Sequence, residues 1–253
     1  MAGLIRTANR STGDDILKYG GRVSVISRQV PAGSAPAMID PLTLSPVAWW
    51  DASDAGTITE SGGAITDWED KSGNGWHLSQ ATSSKRPTYE TAIINGLNAA
   101  MWPIGNNDDH MSTAAGTFQI RELYAVLQYG ESAFTNYDGI LGSRNSDWWI
   151  SGDAGPGPGM QAGTFDAAYI NGDNGTNRFS NVFPEIESPC LLRVVAPSLR
   201  STTAGVNIGM DRDLDSLNRG WSGYICEMLV FSTLLSSGDR ASLGATLMDK
   251  WGI

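Results

Sequence analysis

Pro46-Val47-Ala48-Trp49-Trp50-Asp51-Ala52-Ser53-Asp54 is the stretch that decides the fold, together with Ile65-Thr66-Asp67-Trp68-Glu69-Asp70-Lys71-Ser72-Gly73-Asn74-Gly75-Trp76-His77-Leu78. Short aromatic runs alternate here with Asp, Ser, Gly and Asn clusters. Aromatic side chains suit a pleated, half-buried surface, while the polar clusters supply turn conformations. The pattern predicts short antiparallel strands joined by tight turns.

The same signals continue outward. Strands are expected over residues 47–50, 64–68, 99–102, 139–141, 148–150, 167–170, 190–196, 205–210 and 224–231. Residues 123–129, Leu-Tyr-Ala-Val-Leu-Gln-Tyr, are continuously apolar, as a strand buried on both faces would be. Asn74-Gly75, Asn95-Gly96, Asn171-Gly172 and Asn174-Gly175 suit turns that need φ > 0 at both central residues. Residues 152–163, with Pro156 and Pro158, read as a long glycine-rich loop. Only the end is helical in pattern. Ser236-Ser237-Gly238-Asp239 offers an N-cap with an acid three positions on, and Leu243, Leu247 and Trp251 then form one apolar stripe. The expected helix spans about residues 237–250.

With 253 residues, the chain can bury a core without disulfides or metals. Thirty glycines and only 17% charged residues fit a turn-rich β protein. A formal net charge of −10 argues against nucleic acid as the main ligand, because phosphate binding wants a basic face. Cys190 and Cys226 lie in apolar runs and read as buried free thiols. No apolar run approaches the roughly 18 residues that span a bilayer. The N-terminal Met1-Ala2-Gly3-Leu4-Ile5-Arg6 lacks the apolar region of an export signal, so the expectation is a soluble protein made in the cytoplasm.

Residues 1–45 differ from the rest. They carry Arg6, Arg10, Lys18, Arg22 and Arg28 against Asp14, Asp15 and Asp40. One strand is expected over residues 22–27, and Pro31-Ala32-Gly33-Ser34-Ala35-Pro36 reads as an extended linker. The expectation is an extended N-terminal arm anchored on a neighbouring chain, followed by one domain over residues 46–253.

Residues 46–253 resemble the concanavalin A-like lectin/glucanase superfamily, the LamG-like jelly rolls, and more narrowly a branch common in bacteriophage virion proteins. The resemblance rests on Trp49-Trp50-Asp51-Ala52-Ser53-Asp54, on Asp67 through Gly75, on Arg86-Pro87-Thr88-Tyr89 and on Ile94-Asn95-Gly96. Ile225-Cys226-Glu227-Met228-Leu229-Val230 and the closing Lys250-Trp251-Gly252-Ile253 complete it. It implies an all-β, two-sheet antiparallel jelly-roll sandwich with a short C-terminal helix. On activity the resemblance is silent, since it spans lectins, hydrolases, adhesins and inert virion decoration. The N-terminal segment, the lack of an export signal and the lack of a convincing catalytic set lead to the expectation of a non-catalytic virion structural protein. This would be a capsid decoration, cement or head-fibre protein assembled in the host cytoplasm and displayed on the virion surface, with a glycoside hydrolase as the third reading. Its partners would be the major capsid protein or tail components, with further copies of itself. The alternative is a carbohydrate-binding module of a tail or head fibre that recognises a host surface glycan.

The residues themselves offer few catalytic sets. A glycosidase needs two carboxylates about 5–5.5 or 6.5–9.5 Å apart across the scissile bond. Glu185 and Glu187 sit between Pro184 and Pro189, which suits a loop better than a central strand. Asp211, Asp213 and Asp215 alternate like oxygen donors, making a Ca2+ loop the alternative to a solvated acidic turn; otherwise no cofactor is expected. The stretch Asn106-Asn107-Asp108-Asp109-His110 is a second acidic loop of that kind. For a sugar, an aromatic platform with amide and carboxylate partners is available from Asn145, Asp147, Trp148 and Trp149, or around Tyr169. Neighbouring strand residues point to opposite faces, so at most one of the two tryptophans is expected in the core.

Overall fold

The computed structural model describes residues 36–253, except 106–107, 146, 154, 162–164, 173–175 and 212–218, and the backbone of three short strands before them. The chain divides after Ala37 into two units. In the first, β1 (Ile5–Ala8), β2 (Asp15–Tyr19) and β3 (Arg22–Ile26) form an antiparallel sheet in that order. The sequence suggested a single strand in an extended arm. A lone strand leaves its backbone donors and acceptors without partners, and β2 answers that by pairing along both edges.

The second unit begins about eight residues earlier than the sequence suggested, at Met38. Its strands are β4 (Ala48–Asp51), β5 (Ile58–Ser61), β6 (Ala64–Trp68), β7 (Leu78–Ser79), β8 (Thr88–Ile94), β9 (Leu97–Trp102) and β10 (Met111–Thr113). They continue with β11 (Phe118–Tyr129), β12 (Gly139–Ser143), β13 (Trp149–Ser151), β14 (Ala167–Ile170), β15 (Cys190–Thr202), β16 (Val206–Ile208) and β17 (Gly223–Phe231). One helix, α1 (Ser237–Trp251), closes the chain. The pairing between named strands is antiparallel throughout and joins all fourteen into one curled sheet: twelve follow the order β13-β12-β16-β10-β7-β6-β8-β9-β17-β11-β15-β14, β5 pairs with β6 and β4 with β17. Strand β17 is a branch point: β11 pairs along one edge, while β9 and then β4 share the other.

The curl is visible in the core. Phe118 of β11 stacks on Trp50 of β4 at 6.4 Å and meets Trp148, which precedes β13, at 6.3 Å. Strands far apart in the ladder therefore face one another across a single apolar interior. Phe118 is fully buried, and a side chain of that size contributes about 1.5–3 kcal/mol when taken from water. A second cluster lies on the other face of the sheet, where Trp49, Tyr124, Leu229 and Phe231 pack under Leu243, Leu247 and Trp251 of α1. The predicted helical stripe is thus the surface that covers this face.

Local chemistry explains the boundaries. Ser236 caps α1 by accepting the Asp239 N–H, and Gly252 ends it at φ +68°, with Ile253 N–H bonded back to Met248. Asn95-Gly96 takes positive φ at both residues and turns β8 into β9; Asn171-Gly172 behaves the same way after β14. At Asn74-Gly75 only the glycine does, because Asn74 serves elsewhere, and Asn174-Gly175 lies outside the described residues. Cys190 and Cys226 are free and buried. They sit on strands flanking β11, about 9–10 Å apart by ladder spacing and beyond disulfide reach. Burial pushes the Cys190 thiol up to about 12.

Candidate functional site

The residues expected to form a sugar platform go to two places. Strand alternation sends Trp148 inward, where Phe118 and Phe165 each lie 6.3 Å from it, and leaves Trp149 half-buried. Asn145 and Asp147 build the turn between β12 and β13. The Asn145 Nδ2 donates to Asp147 Oδ2 at 2.7 Å, and Ser143 and Thr202 hydroxyls donate to Asn145 Oδ1 at 3.0 Å. The Ser143 hydroxyl in turn accepts the Asp147 and Trp148 N–H groups. These polar groups hold the hairpin together. Tyr169 lies apart from them on β14, with the Arg193 guanidinium 4.6 Å over its ring.

Asp211 is buried and its Oδ2 accepts from Arg219 at 2.9 Å, while Asp213 and Asp215 lie outside the described residues. Among the described residues there is no cluster of three acidic, His or Cys side chains able to hold a metal. Glu185 and Glu187 form a single 3-10 turn, with Glu185 3.3 Å from Arg178. Arg6, Lys18 and Arg22 belong to β1, β2 and β3; Arg10 and Arg28 lie outside the described residues. No described helix is long and apolar enough to cross a membrane.

The opening signature resolves into two buried polar networks. In the first, the Asp70 carboxylate accepts the N–H groups of Trp49, Ser72 and Trp76 and the Ser72 hydroxyl, at 2.7–3.0 Å. Asn74 Nδ2 donates to the carbonyls of Pro46 and Val47. The Asp-Lys-Ser-Gly-Asn-Gly run is therefore a turn sewn onto β4. Asp70→Ala strands three N–H donors at once and is expected to cost about 2–3 kcal/mol, read as a lower urea midpoint; an unchanged midpoint would sink this account.

The second network starts at a bulge. Val126 pairs with Glu227 but Leu127 with Ile225, so Cys226 is the extra residue and Glu227 turns to the α1 side of the sheet. There its Oε1 accepts from Trp49 Nε1 at 2.8 Å, and its Oε2 from Lys250 and Trp251 Nε1, each at 2.7 Å. Lys250 also reaches Asp51 Oδ1 at 2.8 Å, and Lys71 reaches Asp51 Oδ2 at 3.0 Å. Burial pulls the Asp51 carboxyl up, but Lys250, Ser53 and Lys71 together hold it below its ordinary value. Glu227 goes the other way: burial raises it, Asp51 adds to that, and Lys250 only partly offsets them.

A concavity of about 490 Å³ lies elsewhere on the sheet. Cross-strand register sets Met101, Tyr224 and Gln128 in one row over β9, β17 and β11, facing away from the main core. The Tyr224 hydroxyl donates to Glu90 Oε2 at 3.0 Å, which fixes the ring, and Gln128 Nε2 donates to the Glu187 carbonyl. Ile104 adds exposed apolar surface, and the carboxylates of Glu131 and Glu187 stand at the rim without ion-pair partners among the described residues. An aromatic face beside apolar floor and polar rim can take a sugar ring or an apolar side chain. The sequence did not mark this groove, because its three floor residues are neighbours only through strand pairing.

No family profile and no curated protein matches this chain. Solved structures do. One is domain 4 of a GH43 extracellular arabinanase from Geobacillus stearothermophilus in complex with arabinotriose, with 14% identity and a TM-score of 0.45 over 79% of this chain and 98% of that one. A likeness of that size transfers neither ligand nor activity.

Proposed function

We propose that this chain is a non-catalytic structural protein of a bacteriophage particle, a surface decoration whose second unit is a jelly roll with two facing halves. The observation that carries the proposal is the division of the chain into two units of opposite charge. Residues 1–37 hold five basic and two acidic residues, and the rest hold twelve and twenty-five. A sheet of three strands in under about 40 residues, without a disulfide, buries too little to stand alone and needs a partner surface. A basic unit held on an acidic partner, repeated over a shell, attaches many copies by avidity. The non-catalytic part is supported by the buried carboxylates of Asp51, Asp70, Glu122 and Glu227, each already occupied by cations or N–H donors.

The test is re-decoration. Particles stripped of this protein are expected to take up the full chain and at least a hundredfold less of residues 38–253, with circular dichroism confirming that the shortened chain is folded. Equal uptake of both sinks the anchoring idea. A second reading, glycan recognition, is favoured by the Met101-Tyr224-Gln128 groove, and loss of glycan-array signal on Tyr224→Ala is its measurement.

A further inference from the structure

The second unit is strongly acidic, so a cleft with cationic walls runs against its charge. Tyr169, Arg193, Ser237 and Arg240 line such a cleft, of about 240 Å³, between β14, β15 and the first turns of α1. Register sets Tyr169, Arg193 and Tyr124 in one row across β14, β15 and β11, on the face that α1 covers.

Arg193 is held rigidly. Its Nε donates to the Glu122 carboxylate, which is fully buried and also accepts the Tyr124 hydroxyl at 3.0 Å and the Leu235 N–H at 2.8 Å. Tyr169 packs against the guanidinium face. With its side chain only 14% exposed, Arg193 still has terminal nitrogens without hydrogen-bond partners among the described residues. Arg240, half-buried on the facing helix, pairs with no carboxylate among them either. Among the described residues, two guanidinium forks with one charge balanced by Glu122 leave a single net positive charge and donors without partners.

We propose that this cleft binds the carboxylate of one acidic sugar unit. A planar fork matches a carboxylate with two parallel hydrogen bonds, and a net charge of one suits a monoanion better than a phosphate dianion. The volume falls below the roughly 300–1,000 Å³ of drug-sized sites, so the cleft itself takes about one ring of a longer saccharide, whose other units extend outside it. Ser237 and Tyr169, which also line the cleft, bring hydroxyl groups of the kind that ring hydroxyls pair with. This site is independent of the particle-anchoring reading, and either can fail without the other.

The experiment titrates the full chain with trigalacturonate, its methyl ester and inorganic phosphate by calorimetry. The acid is expected to bind at least about tenfold more tightly than the ester or phosphate, with affinity falling as salt rises. Arg240→Gln lowers it about tenfold, and Arg193→Lys, which keeps the charge but loses the fork, does the same. Equal binding of acid and ester overturns the proposal, as does tighter binding of phosphate. So does an unaffected Arg240→Gln protein, or no binding of trigalacturonate at millimolar concentration.

Discussion

Glu227→Ala is expected to lower the unfolding free energy by about 3–5 kcal/mol, measured by urea denaturation followed through tryptophan fluorescence. Glu227 is 1% exposed and its carboxylate is the shared acceptor of two indole N–H groups and the Lys250 ammonium. Lys250 retains Asp51 when Glu227 is removed, so the uncompensated groups are Trp49 Nε1 and Trp251 Nε1, inside the cluster beneath α1. Each stranded buried donor costs about 1–3 kcal/mol, and the vacated volume adds to that. Glu227→Gln keeps the volume and one acceptor oxygen and is expected to lose less. A loss under about 1 kcal/mol for the alanine variant would mean that the network is dispensable.

Gly139→Ala is the second large effect. A Cβ at Gly139 would stand 1.9 Å from the Asp211 nitrogen and 2.2 Å from the Met210 carbonyl carbon. Both are backbone atoms, so no side-chain rotation relieves the clash. Gly139 also donates its N–H to Arg219 and starts β12 at a register shift, which leaves the strand little room to move. The expected loss is about 3 kcal/mol, at the upper end of overpacking costs. Gly155→Ala is the control, because nothing lies within 4 Å of its Cβ. It should stay within about 0.5 kcal/mol of the parent. Equal losses at the two positions would refute the close approach between β12 and Met210-Asp211.

The strands that the sequence revealed are those that carry their own contrast. β6 and β14 begin and end where the aromatic and apolar pattern does, and the helix cap at Ser236 is a local motif. Strands β5, β7, β8 and β10 were not legible. β8 reads Thr-Tyr-Glu-Thr-Ala-Ile-Ile with only its last residue buried, and β7 is two residues long. Such strands exist because a neighbour offers hydrogen bonds, and that information is not in their composition. Sites followed the same rule. Trp148 and Trp149 looked like a platform from adjacency, yet alternation and the Ser143–Trp148 turn took one into the core and bound their polar neighbours. Tyr169 found a cationic partner in Arg193, 24 positions away, which only strand pairing brings alongside.

By itself the sequence determined the all-β character, the closing helix and the scaffold nature of the Trp49-Trp50-Asp51 and Asp70 to Trp76 motifs. These depend on turn chemistry and on which side chains leave water, both local properties. Tertiary structure alone decided that Glu227 would face Lys250 and two indoles, because a single-residue bulge changes the side on which it emerges. It also decided that two arginines of an acidic unit would share one cleft with a tyrosine. Cross-strand register and helix placement are long-range outcomes of burying one face against another, and no window of neighbouring residues contains them.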